Sequence, residues 1–152
     1  MTEPSIKLED WAQGIPMRAG PVSLGLYQPS PETMEYWHGI ERRELMLRQC
    51  PACQRCFHPK RIVCSDCGSS ELTWVRASGH GSVYSFSEIH RPPSATFATG
   101  VPYINGLVRL EEGVHLFTRF IPEPGPVRIN APARLDFRVL ESHWLLPVFL
   151  VG

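Results

Sequence analysis

From Ser78 onward, apolar and polar residues alternate in short runs. "SVYSFSEIH" (82–90) sets Val83, Ser85 and Ser87 against Tyr84, Phe86 and Glu88. A period of two belongs to a strand whose two faces differ. "YINGLVRL" (103–110) and "VHLFTRFI" (114–121) flank "EEG", a short turn ending in Gly113, and read as a hairpin. "RLDFRVLE" (134–141) turns Leu135, Phe137 and Val139 inward against Asp136, Arg138 and Leu140, and "PVFLV" (147–151) follows as a fifth strand. Five short strands predict a small barrel, because closure removes edges that would otherwise invite pairing. The connection "RPPSATFATGVP" (91–102) is long, and long connections in compact domains are more often functional than idle.

Ahead of the barrel the pattern changes. Ser30 can cap a helix, Pro31 suits its first position, and Glu32 favours its positive N-terminal end. Met34, Trp37 and Ile40, with Glu41 beyond, fit one apolar stripe, so a helix is predicted from about residue 31 to about Arg42. "ELMLRQ" then alternates with Leu45 and Leu47 on one face, a strand leading into a cluster of cysteines. Residues 1–30 have no regular period and many breakers, yet carry apolar residues such as Trp11, Ile15 and Leu24. Such an arm cannot form a core alone; it packs on its own domain or on a partner.

A chain of 152 residues fits one domain with a small appendage. Its 15 prolines and 12 glycines mean many turns and little helix, a mainly β protein. Zero formal net charge argues against indiscriminate nucleic-acid binding. The longest apolar run, Trp144 to Val151, is too short for a bilayer and is interrupted by Pro147. "MTEPSIKLED" does not read as a secretory signal, so a cytoplasmic location is expected. In that reducing compartment clustered cysteines read as metal ligands before disulfides.

All five cysteines lie within "CPACQRCFHPKRIVCSDC" (50–67). Cys50-x2-Cys53 and Cys64-x2-Cys67 form two knuckles with ten residues between them, room for a strand, a turn and a returning strand. The alternative first knuckle, Cys53-x2-Cys56, leaves only seven residues including Pro59, tight for a hairpin. Cys50, Cys53, Cys64 and Cys67 are therefore the expected ligands of one tetrahedral ion, with Cys56 a small packed thiol. Four thiolates close the coordination shell and weaken the ion as a Lewis acid, so a structural Zn2+ is expected. Iron is the rival metal for four cysteines.

The order of "YW", "LMLRQCPAC", "CSDCGS", "GSVYSFSEIHRPP", "VPYINGLVRLEEG" and "PVFLV" resembles one family. It is the zinc-ribbon and OB-fold family called domain of unknown function thirty-five, over about Glu32 to Val151. The resemblance implies a helix (31–44), a rubredoxin-like zinc ribbon (45–77) and a C-terminal five-stranded OB-fold barrel (78–152), while the extended arm (1–30) lies outside the shared pattern. It also implies an accessory subunit, not catalytic by itself, of a thiolase-like enzyme, or sometimes a hydratase or aldolase, acting on acyl-CoA. A hetero-oligomer is implied, and the zinc ligands carry over to Cys50, Cys53, Cys64 and Cys67. Two departures bear on the backbone: Gln54 stands where the family commonly has Gly after the first knuckle, and Arg43 or Glu44 where it often has Gly before the strand entering the ribbon.

The residues themselves offer little catalytic machinery. Cys56 is the one thiol left over, and Arg55 and His58 beside it could lower its pKa, but a ribbon hairpin is a poor place for a nucleophile's pocket. His90 more readily anchors the long loop than lines a channel. Arg42, Arg43, Arg48, Arg55, Lys60 and Arg61 face only Glu44 between residues 42 and 61. That local excess reads as a solvated basic face, as a site for coenzyme A phosphates, or as a contact for an acidic patch on the partner. The alternatives from other classes are a stand-alone acyl-CoA-binding protein and a single-stranded nucleic-acid module. Against the latter, most of the barrel aromatics (Tyr84, Phe86, Phe97, Tyr103, Phe117, Phe120, Phe137 and Phe149) sit in strand patterns that look like core, and its basic and acidic residues balance.

Overall fold

The computed structural model describes residues 30–93, 95–140 and 144–152; the expected arm lies outside them save for Ser30. The chain opens with a 3-10 turn, Pro31–Thr33, running into helix α1, Met34–Glu41. The Thr33 hydroxyl accepts the Ser30 backbone N–H at 2.9 Å, which fixes the entry. At the other end Arg43 N–H donates to Ile40 O (2.9 Å) and Glu44 N–H to Gly39 O (2.7 Å). This is a Schellman closure, and its left-handed residue is Arg43, with φ 58°.

Strand β1, Met46–Gln49, is the centre of a three-stranded sheet ordered β2-β1-β3. β2 is Cys56–Phe57 and β3 is Thr73–Arg76, both antiparallel to β1. The expected returning strand between the knuckles does not form. The only strand there, β2, is two residues long and pairs with β1. Pro59, just beyond it, has no N–H with which to continue a ladder.

The barrel is closed, in the order β4-β5-β6-β8-β7 with β7 returning to β4. Its strands are β4 His80–Ile89, β5 Tyr103–Leu110, β6 His115–Pro122, β7 Pro132–Leu140 and β8 Trp144–Val151. All pairs are antiparallel except β6 with β8, which is parallel. This is the five-stranded OB-fold expected from the sequence. A bulge between Val83 and Ser85 bends β4 over Gly106, where a Cβ would collide with the Ser85 carbonyl. A 3-10 segment, Ala95–Gly100, lies in the long β4–β5 connection.

Ribbon and barrel share one core. Leu45 and Leu47 from the strand entering the ribbon pack in the same cluster as Val83, Val108, Phe120 and Phe149 from the barrel. Burying such side chains stabilises by roughly 1.5–3 kcal/mol each, so the two units lean on each other. Among the described residues no helix is long and apolar enough to cross a membrane.

Candidate metal centre

The two Cys-x2-Cys knuckles fold alike. In the first, Gln54 N–H donates to Cys50 O (2.8 Å) and Cys50 N–H to Arg55 O (3.0 Å). In the second, Gly68 N–H donates to Cys64 O (3.0 Å) and Cys64 N–H to Ser69 O (2.8 Å). Each turn needs a left-handed residue one place after its last cysteine: Gly68 has φ 75° and Gln54 has φ 59°. The knuckle geometry that Gly68 serves in the second turn is kept in the first by Gln54, whose side-chain amide donates to Pro51 O at 2.6 Å.

These turns bring the Sγ atoms of Cys50, Cys53, Cys64 and Cys67 within 4.8 Å of one another. Cys50 and Cys67 are separated by 3.7 Å, and Cys53 and Cys64 by 3.9 Å. Sulfurs about 2.3 Å from a tetrahedral Zn2+ lie about 3.8 Å apart, so the donor set fits such an ion. Cys50 and Cys64 are buried beside Phe57 and Leu72, while Cys53 and Cys67 face outward. In the cluster of bare thiols, Cys64 is held down to about 7 by the backbone of Cys67 and then of Asp66, whose N–H lies 3.4 Å from its sulfur. Cys53 is pushed up to about 12, first by its hydrogen bond with Cys67 and then by loss of solvent. Four thiolates at this spacing repel one another, and a dication removes that conflict.

Cys56 stands outside this group. It is half-buried, packs against the shared core, and lies 3.8 Å from Gln49 Nε2. Burial, and then the charge of Glu112, raise its pKa. The expectation that Arg55 and His58 could activate it is thus corrected: burial and the Glu112 charge raise its pKa, and the opposing influence is the hydrogen bond from Gln49.

The six cations do not act as one face. Arg42 is taken up by Glu35 (2.8 Å) and Glu44 (3.2 Å), and Arg55 makes a forked bond to Asp66 (2.7 and 2.9 Å). Arg43 donates to Phe137 O (3.2 Å), tying α1 to the barrel. Arg48 donates to Glu32 O (2.7 Å) and Leu72 O (3.4 Å), with its guanidinium 3.8 Å from the centre of the Trp74 ring. Lys60 and Arg61 are exposed next to Ile62 and Val63, and Arg61 also lies over Phe57 at 5.6 Å.

His90 is exposed and, among the described residues, pairs with Glu88 at 3.0 Å at the end of its own strand. A further expectation needs correcting. Tyr84, Phe86 and Phe117 are not core: they are 52%, 39% and 72% exposed. Tyr103, Phe120, Phe137 and Phe149 are buried as expected. Alternation shows that a strand has two faces without saying which faces inward, and here Leu116, Thr118 and Phe120 take the interior of β6. The parity of "HLFTRF" held the missed signal, since it places Phe117 with His115 and Arg119.

Residues 37–73 match the family model described as ChsH2, rubredoxin-like zinc ribbon domain, and residues 74–138 match ChsH2, C-terminal OB-fold domain. A DUF35 domain-containing scaffold protein of Methanothermobacter thermautotrophicus is 31% identical over 115 residues, covering 74% of this chain and 86% of that one. The chain belongs to the DUF35 family. A further relative, a "Probable enoyl-CoA hydratase alpha subunit" of Thermomonospora curvata, is 35% identical over 115 residues, or 75% of this chain. The match spans only 35% of that subunit's length. Among solved DUF35 structures, a chain of "Ltp2-ChsH2(DUF35) aldolase" superposes with a TM-score of 0.72 at 31% identity, covering 82% of this chain and 98% of that one.

Proposed function

We propose that this DUF35 chain is a non-catalytic subunit that docks on a thiolase-like acyl-CoA enzyme and helps to form or stabilise its acyl-CoA site. The observation that carries the reading is the closed group of four sulfurs. Cys50, Cys53, Cys64 and Cys67 would hold Zn2+, and the ion would supply cross-linking of the ribbon. Four sulfur donors leave no position for water or a thioester oxygen. The fifth thiol, Cys56, has its pKa raised by burial, the wrong direction for a nucleophile at neutral pH. Two related proteins carry names that place them in a hydratase subunit and in an aldolase assembly, which supports an enzyme as the partner.

Of the six cations, Lys60 and Arg61 are the candidates to meet coenzyme A phosphates or an acidic partner surface, because Arg42, Arg43, Arg48 and Arg55 already bind groups within the chain. A cytoplasmic location fits five cysteines in thiol form. The test is purification of the tagged chain from its native source, identification of the co-purifying enzyme, and assay of that enzyme with and without this subunit. The reading expects an acyl-CoA enzyme whose turnover falls when the subunit is omitted. Normal turnover by the enzyme alone, or turnover by this chain alone, overturns it.

A further inference from the structure

The outer face of β5 and β6 sets exposed aromatic surface beside an exposed arginine, Arg109, with Glu111 and Glu112 in the turn beyond it. Burial alternates along both strands: Gly106, Val108 and Leu110 face in on β5, and Leu116, Thr118 and Phe120 on β6. The outward residues are Leu107 and Arg109 opposite Phe117 and His115, in direct register across the pair. Phe117 is 72% exposed, and Tyr84, carried over from the bulge in β4, meets the His115 ring edge-on at 4.5 Å. Farther along, Arg119 covers Tyr103 at 4.1 Å. The two strands hold two arginines and a histidine and no Asp or Glu.

Resting on the accessory-subunit reading, we propose that this face is the surface that docks the partner enzyme, and that the partner presents an apolar centre with an acidic rim. Large aromatic side chains left exposed together mark a contact that gains by desolvation, with Phe117 and Tyr84 as its anchors. Arg109 at the edge selects a carboxylate on the partner's rim. The same charges argue against the other occupants. A two-fold pairing of identical faces would place Arg109 and its copy in one interface with no Asp or Glu from β5 or β6 to meet them. A single nucleic-acid strand needs a run of cations along its phosphates, and here Arg109 is exposed while Arg119 is engaged on Tyr103.

The test uses the full-length chain and the enzyme that co-purifies with it. Phe117→Glu, Tyr84→Ser, Arg109→Glu and Ser70→Glu are compared by titration calorimetry, with zinc content and far-UV circular dichroism as checks on folding. Phe117→Glu should weaken binding at least about a hundredfold and Tyr84→Ser about tenfold. Arg109→Glu should cost about tenfold and flatten the salt dependence of association. Ser70, exposed on the ribbon and not on the barrel, should tolerate Glu within about twofold. If the enzyme binds folded Phe117→Glu as it binds the wild type, the docking face is refuted while the accessory role stands. If no acyl-CoA enzyme co-purifies with the wild type, both fall. A homodimer dissociated by Phe117→Glu, or poly-dT binding lost with it, also overturns the proposal.

Discussion

Gln54 shows how a single residue can hold a site without touching it. Its φ of 59° repeats that of Gly68 in the matching turn, and a residue with a Cβ is strained there by about 1 kcal/mol. Gln54→Gly should therefore raise stability by about 0.5–1 kcal/mol in chemical denaturation of the zinc-loaded protein, whereas Gln54→Ala should lower it. Both departures from the family's glycines, Gln54 and Arg43, were legible as departures. Their outcome was not, because sequence does not reveal whether the local hydrogen bonds outweigh the strain. Cys56 carries a second prediction at this scale. Burial raises its pKa above the ordinary thiol value, so less thiolate is present at neutral pH. In zinc-loaded protein it should react with iodoacetamide about tenfold more slowly than a free cysteine peptide, and catch up as pH rises. Cys56→Ser should leave zinc content unchanged, while Cys64→Ser should lose the metal.

At the scale of elements, the strands were legible from their period of two and the helix from its proline and apolar residues, although the side it buries is Tyr36, Gly39 and Ile40, with Met34 and Trp37 only partly covered. What the period could not supply was polarity. Phe117 and Phe120 look alike in sequence, yet one faces solvent and the other the core, because only the barrel's closure decides which face is interior. The joint between α1 and the ribbon was also hidden. Arg48 reads as one more cation in a basic run, but its guanidinium links Glu32 O to Leu72 O and stacks on Trp74. Hydrogen bonds from a charged donor contribute about 1.5–3 kcal/mol. Arg48→Ala should cost about 2 kcal/mol by denaturation, and Arg48→Lys should recover little, since one ammonium cannot reproduce the stacked fork.

For the whole molecule, the four-sulfur site and the shared core make ribbon and barrel one mechanical unit. Leu47, fully buried in the cluster that includes Val83 and Phe149, joins them. Leu47→Ala should cost roughly 3 kcal/mol, with barrel and ribbon signals unfolding together. Removing zinc with a chelator should likewise lower the melting temperature read from the barrel's aromatics. The overall order of helix, ribbon and barrel was legible because cysteine spacing and strand alternation are local signals. The outer aromatic face was not, being assembled from three strands that only the folded register brings together. The central claim is that four sulfurs saturate one ion and leave the chemistry to another polypeptide. X-ray absorption at the zinc edge of the purified chain, with and without an added acyl-CoA, tests it most directly. One shell of four sulfurs at about 2.3 Å, unchanged by the thioester, is the expected result. An oxygen scatterer in that shell, from water or from the thioester, would contradict it.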